Sequence, residues 1–399
     1  MTYQWSWLAN LLYFCFFPLF FFYHLFIALG LMPPILGGGI AVFGIAGFVF
    51  AVLSVFTWLP QTLKGDKLTA LLWYAFLMLC LGYSVYFLVA GGEAYRNTAA
   101  TQSLQAFVLI LAMFFVGYFT DFSKPFFSIF LIFALLSMFV FLIIYSLFSG
   151  NIMFYAREFF HADDGVATYQ GFARSALLTL LPLIAMSRST GYQVLIIIVG
   201  TYVLFVLGAR SEFFSYLLWL CCFCLLFMAR SRGFLIAGLA GTVVVLLGLG
   251  SVWDTLTASR QLEVTNLSES TSWVARQELF LSTLSIVDSA PVFGDFGAHI
   301  REGGHAGAYS HNALSAWVNY GGVGFVLYLL SIVSAFLIST LAVLRSDRSP
   351  EQADRRVAFS MMFIVLLLVI VSKPVFWPLT GLAMGLYFKS IKPVGIASG

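Results

Sequence analysis

Apolar residues run along this chain in blocks of roughly 18 or more, separated by short stretches where glycine, proline and charge collect. The blocks fall at 7–31, 36–58, 68–90, 102–120, 126–149, 171–187, 192–208, 211–229, 233–252, 312–344, 357–372 and 375–389. Read as helices, they predict an all-α, polytopic membrane helix bundle of about 12 transmembrane helices, forming one membrane domain over 1–399. The run 312–344 is too long for one straight crossing and is expected to tilt strongly or project from the bilayer. The run 7–31 has no basic flank and no small-x-small cleavage site, so it is expected to be a retained first helix.

Two gaps between blocks are long, about 149–170 and 253–310. Inside the second, Trp273, Phe280, Leu281, Leu284 and Val287 recur at helical spacing, with Thr271 or Ser272 placed to cap the start. This predicts a short helix over 271–287, too polar to span and lying on the outer surface with Arg276 on one side. Pro291 follows its end, and Gly294 and Gly297 mark a tight bend.

Composition supports the membrane reading. The 399 residues are 61% hydrophobic and 9% charged, too few charges to cover a water-soluble surface. A net charge of +3 gives no case for nucleic acid. The cysteines, Cys15, Cys80, Cys221, Cys222 and Cys224, all lie in apolar runs, which argues against a disulfide framework. Cys221, Cys222 and Cys224 have no His or acid beside them, so packed or lipid-facing thiols are expected rather than a metal site.

Charge sets the orientation. With the N-terminus cytoplasmic, twelve of the 20 basic residues fall in short inner loops, which places both termini inside and both long loops outside. The outer exceptions are Arg96, Arg157, Arg174, Arg210, Arg260, Arg276, Arg301 and Lys373. Arginine dominates this outer set, and a guanidinium grips phosphate or carboxylate with two bonds where an ammonium cannot.

The sharpest chemical candidate is His311, in Tyr309-Ser310-His311-Asn312, where the second long loop meets an apolar helix. An imidazole titrates near neutrality and suits a general base; a capping or interfacial histidine is the plainer alternative. His299 and His305 sit in a Gly-rich stretch with no zinc spacing, and His24 reads as a packed histidine inside the first helix. Arg210 reads either as an anion ligand or as a snorkelling residue paired with Glu212. Arg174, just inside a predicted span, is costly to bury unless it meets an anion or water. Arg276 alone would be a solvated face. Three arginines on one side of the membrane with a histidine make an anion pocket, and a lipid-linked diphosphate is the anion that suits that depth.

Three patches resemble the superfamily of bacterial O-antigen polymerases and O-antigen ligases. The first is Gly208-Ala209-Arg210-Ser211. The second runs from Trp273-Val274-Ala275-Arg276 through Pro291-Val292-Phe293-Gly294-Asp295-Phe296-Gly297. The third is Ser310-His311-Asn312 leading to Val318-Asn319-Tyr320-Gly321-Gly322-Val323-Gly324-Phe325. The resemblance implies a glycosyltransferase at the periplasmic face of the bacterial inner membrane, using a glycan on undecaprenyl diphosphate and neither metal nor cofactor. It implies His311 as base with Arg210 and Arg276 as catalytic diphosphate clamps. Arg174, Arg301, Arg157, Asn312 and Tyr309 would be substrate contacts. Its partners would be lipid-linked donor and acceptor, membrane lipid and a chain-length regulator protein. A polymerase adds the glycan to another lipid-linked repeat, and a ligase moves it to the lipid A core. The substantial first loop and the Val-Asn-Tyr-Gly-Gly-Val-Gly-Phe run favour the polymerase. A lipid-linked glycan transporter is the reading from another class, although the pseudo-symmetric halves expected of one are not seen.

Overall fold

In a chain this apolar, backbone amides must find partners within their own segment, and the α-helix is the form that provides them. The computed structural model describes residues 2–33, 40–154, 169–187, 189–228, 271–345 and 352–391. Among these, every regular element is helical. The first half holds α1 (Thr2–Phe16), α2 (Pro18–Ala28), α3 (Ile40–Leu53), α4 (Val55–Gly65), α5 (Lys67–Ala90), α6 (Ala94–Phe119) and α7 (Pro125–Ser149). Then come α8 (Tyr169–Met186), α9 (Thr190–Val206) and α10 (Arg210–Phe223), which runs on into a π-turn at Cys224–Met228. The rest is α11 (Thr271–Ser289), α12 (Ala298–Gly303), α13 (Leu314–Leu344), α14 (Ala353–Val371) and α15 (Leu379–Ser390).

Six helical stretches are long and apolar enough to cross a membrane: Gln4–Ala28, α5, α6, α7, Arg210–Phe227 and α13. The pair α3–α4 makes a seventh if counted as one broken span. This is a helical, membrane-embedded protein with six or seven such spans among the described residues, fewer than the 12 expected. Helices α8, α9, α14 and α15 fall where spans are predicted but do not qualify as crossings by length and composition. The predicted span 233–252 lies outside the described residues, as do Arg157, Arg260 and most of the first long loop. A helix covers the predicted 271–287, as α11.

Two of the predicted runs are bent. Helix α3 turns by 72° into α4 at Ser54. The Ser54 hydroxyl donates back to the Phe50 carbonyl at 2.7 Å, and the Trp58 indole donates to Ala51 O at 2.9 Å, so the carbonyls at the bend keep partners. Helix α13, expected to tilt or project, is not one continuous rod. It breaks at Gly321, whose φ of 68° and ψ of −176° are not helical. Beyond the break, about two dozen residues from Gly322 to Leu344 remain, a length suited to roughly 30 Å of hydrocarbon.

The centre of the bundle is the packing of α15 against α6. Gly381 and Gly385 form a Gly-x-x-x-Gly stripe on α15, and Gly117 faces it from α6. Added Cβ atoms would run into the backbone of Ile110 and Phe114 from the first two, and of Leu382 from the third. In lipid, helices associate through close van der Waals packing, which small residues permit. Residues 379–388 of α15 are buried, so this short helix is enclosed by protein. Asn10 of α1 donates to Asp121 O at 3.2 Å, and Lys389 of α15 to Thr120 O at 2.8 Å. The first and last helices therefore share one end of the bundle with the α6–α7 loop.

Gly381→Leu or Gly385→Leu should lower the thermal midpoint of the detergent-solubilised protein, with overpacking costing about 1–3 kcal/mol. Gly82→Ala, whose Cβ would meet open space, should leave the midpoint nearly unchanged. Equal effects from all three would overturn the close-packing account.

Candidate functional site

The site lies at the opposite end, where α8, α10 and α13 begin and α14 ends. Its framework is an exchange of hydrogen bonds at the α13 break. In an unbroken helix the Gly322 amide would bond Val318 O. Here Gly322 N donates to Pro291 O at 2.9 Å, and Val318 O accepts from Asp295 N at 2.8 Å. The Trp317 indole also donates to Pro291 O, at 2.7 Å, and Asn319 Oδ1 accepts from Gly297 N at 3.3 Å. The Pro291–Gly297 run thus docks on the opened helix as if it were its missing strand of partners. Gly321 and Gly294 both have positive φ, and a Cβ on either would strike the other segment's backbone. Two of the patches singled out in the sequence therefore form one unit.

His311 stands just ahead of α13, on a turn built by its neighbour. Asn312 Oδ1 accepts from Ser310 Oγ at 2.8 Å and from Leu314 N at 3.0 Å. The Asn312 carbonyl accepts from Ser315 Oγ at 2.8 Å, and that same oxygen accepts from Val375 N at 2.8 Å. Asn312, expected as a substrate contact, spends its side-chain oxygen on holding this turn. The Val375 link ties the His311 turn to the turn after α14, which carries Lys373.

Lys373 is 4% exposed and Glu212 is fully buried, and their Nζ and Oε1 lie 2.6 Å apart. Ser211 Oγ donates to the other Glu212 oxygen at 2.6 Å, and Lys373 also reaches Gln170 Oε1 at 3.4 Å. Arg174 sits beside this pair, its charge acting on Glu212, Tyr309 and Lys373. Its Nε is buried without a hydrogen-bond partner, and its guanidinium stands 5.9 Å from the centre of the Trp377 ring. Arg276 of α11 is half-buried and acts on His311 and Lys373. Among the described residues neither Arg174 nor Arg276 forms an ion pair.

Burial, with the charges of Arg276 and Lys373, pulls the His311 pKa down from 6.5 to about 4. The imidazole is therefore neutral at pH 7 and can accept a proton. Burial also lowers Lys373, against the opposing effect of Glu212. Tyr309 lies 5.3 Å from His311 ring to ring and 6.0 Å from Phe376. Burial raises its hydroxyl, with Arg174 opposing. His299 stacks edge-on toward Tyr309 and reaches Gln102 at 3.4 Å, and burial lowers it to about 4.

The structure thus gathers His311, Arg276, Arg174 and Tyr309. It adds Glu212 and Lys373, which the sequence reading left as a helix-end neighbour and an outer-turn cation. An outward lysine in an otherwise arginine-rich set was the available signal. Arg210 opens α10 two residues before Glu212, but the charges acting on His311 come from Arg276 and Lys373. Arg301, expected as a glycan contact, is held by Asp295 at 2.7 Å and Glu302 at 3.0 Å, its charge already matched. Arg157 lies outside the described residues. No protein-family model matches the chain, and no curated protein matches its sequence.

Between pH 6.5 and about 4 the unfolded chain takes up protons that His311 and His299 refuse in the fold. Stability should fall as pH drops through that window. His311→Gln and His299→Gln should each shrink the loss of thermal midpoint between pH 7 and pH 4.5 in detergent. A loss as large as the parent's in both variants would contradict the buried, neutral state of these rings.

Proposed function

We propose that this chain is a membrane glycosyltransferase that polymerises glycan repeats carried on undecaprenyl diphosphate, as the O-antigen polymerases do. It would act at the periplasmic face of the bacterial inner membrane. The observation that carries the reading is a pair of guanidiniums, Arg174 and Arg276, that form no ion pair among the described residues and stand with a neutral imidazole at one end of an apolar bundle. Guanidiniums in that position suit a phosphate ligand, because an arginine cannot shed its charge when buried.

The chemistry follows from those groups. The acceptor's sugar hydroxyl attacks the anomeric carbon of the donor, forming the new C–O bond. His311 takes the hydroxyl proton. The bond between the anomeric carbon and the diphosphate oxygen breaks, and its electron pair leaves with the lipid diphosphate. Arg174 and Arg276 stabilise the charge that grows on that oxygen. The bound diphosphate also offsets the positive charges that depress His311, so the imidazole becomes a better base once the donor is in place. The resemblance of the Arg276–Gly297 and Ser310–Phe325 patches to the O-antigen superfamily supports the same assignment, as does their docking on one another.

Deleting the gene and running surface lipopolysaccharide on a gel tests the reading. A single repeat on the core is the expected outcome. A bare core with long chains stranded on the carrier lipid would make the chain a ligase, and unchanged lipopolysaccharide would overturn the assignment. In a complemented strain, His311→Ala should cut transfer by roughly 10²–10⁴-fold with the protein still folded in the membrane. Arg276→Lys should cut it on the order of a hundredfold. Normal chain lengths from His311→Ala would remove the imidazole from the mechanism.

A further inference from the structure

The mechanism above leaves Lys373 and Glu212 unused, although they form the most deeply buried ion pair of the structure's described residues. Among the described residues the charges around them do not balance. Arg174, Arg276 and Lys373 bring three cations together, against Glu212, whose carboxylate acts on Arg174 and Lys373. A purely structural pair needs one cation for one carboxylate, and further cations placed beside it repel. Lys373 occupies the middle of the set: Arg174 and Arg276 both act on it, and it acts in turn on His311.

We propose that Lys373 is a third cation on the bound diphosphate, and that Glu212 is the positioning residue that keeps it charged and aimed there. This rests on the reading of the cluster as a diphosphate site. The hydrogen bonds leave room for it. An ammonium has three donors. Glu212 takes one at 2.6 Å and Gln170 lies at the edge of bonding distance, 3.4 Å, for a second. Ser211 occupies the far oxygen of Glu212, which fixes the carboxylate. The backbone fixes the rest: Lys373 N donates to Leu368 O at 2.7 Å, and Val375 N to Ser315 Oγ at 2.8 Å, so the ammonium and the His311 turn hold a set relation. Two phosphoryl groups offer enough negative charge to meet two guanidiniums and one ammonium; a single carboxylate does not.

The alternative is that the pair is only a clasp between α10 and the turn after α14. The two differ in what happens when both charges are removed. A buried ion pair that is merely structural can be replaced by apolar residues of similar size at little or no cost in stability. The full-length protein in detergent would be titrated calorimetrically with inorganic diphosphate, and its thermal midpoint followed without ligand. For Glu212→Leu with Lys373→Met, we expect a midpoint near the parent's and affinity lower by at least about tenfold. Should that double variant not fold, Lys373→Gln carries the same test, since its amide can still bond Glu212. Parental affinity in either folded variant overturns the role of Lys373. If Arg276→Ala loses binding at the same time, the diphosphate reading stands without this inference. A parent protein that binds no diphosphate overturns both. Arg301→Ala, whose charge is met by Asp295 and Glu302, should bind as the parent does.

Discussion

A cation moved out of water must meet an anion or give up its proton, and that constraint shapes the polar end of this bundle. Lys373 meets it through Glu212 at 2.6 Å. Arg174 and Arg276 do not meet it within the described residues, and arginine has no practical route to neutrality. Burial, and after it the charges of Arg276 and Lys373, hold His311 unprotonated at pH 7.

The far end of the bundle makes the contrast. Lys389 is paired with Asp354 at 2.8 Å and donates to Thr120 O, and Arg356 donates its Nε to Ala185 O at 2.7 Å. These cations close off helix ends and loop carbonyls. Exposed Arg301 and half-buried Arg96 share Asp295 in the same manner. Among the described residues, Arg174 and Arg276 at the His311 end form no such ion pair.

Precision at that end depends on an irregular piece of backbone. A straight α13 would keep its amides to itself and offer no seat for the Pro291–Gly297 run. The break at Gly321 releases Val318 O and Gly322 N, and the docking run satisfies both. Buried backbone groups tolerate such a break only when new partners replace the old ones. The Asn312 turn and the Val375 link then carry this rigidity to His311 and Lys373.

The sequence determined that this is a helical membrane protein, because 61% hydrophobic residues in long blocks permit little else. It also marked His311, Arg174 and Arg276, since charge is conspicuous against so apolar a background. Of the twelve spans it predicted, six or seven have the length and composition of a crossing among the described residues; local hydropathy measures burial away from water and cannot tell lipid from protein, so buried α15 reads like one. The bends at Ser54 and Gly321 were hidden for a related reason, because serine and glycine occur in straight membrane helices too. Which charges meet was decided by tertiary structure alone. Glu212 and Lys373 are 161 positions apart, and Arg301 and Asp295 only six, yet both pairs form at hydrogen-bonding distance. Coulomb attraction acts through space between folded elements, and the linear order of residues carries no record of it.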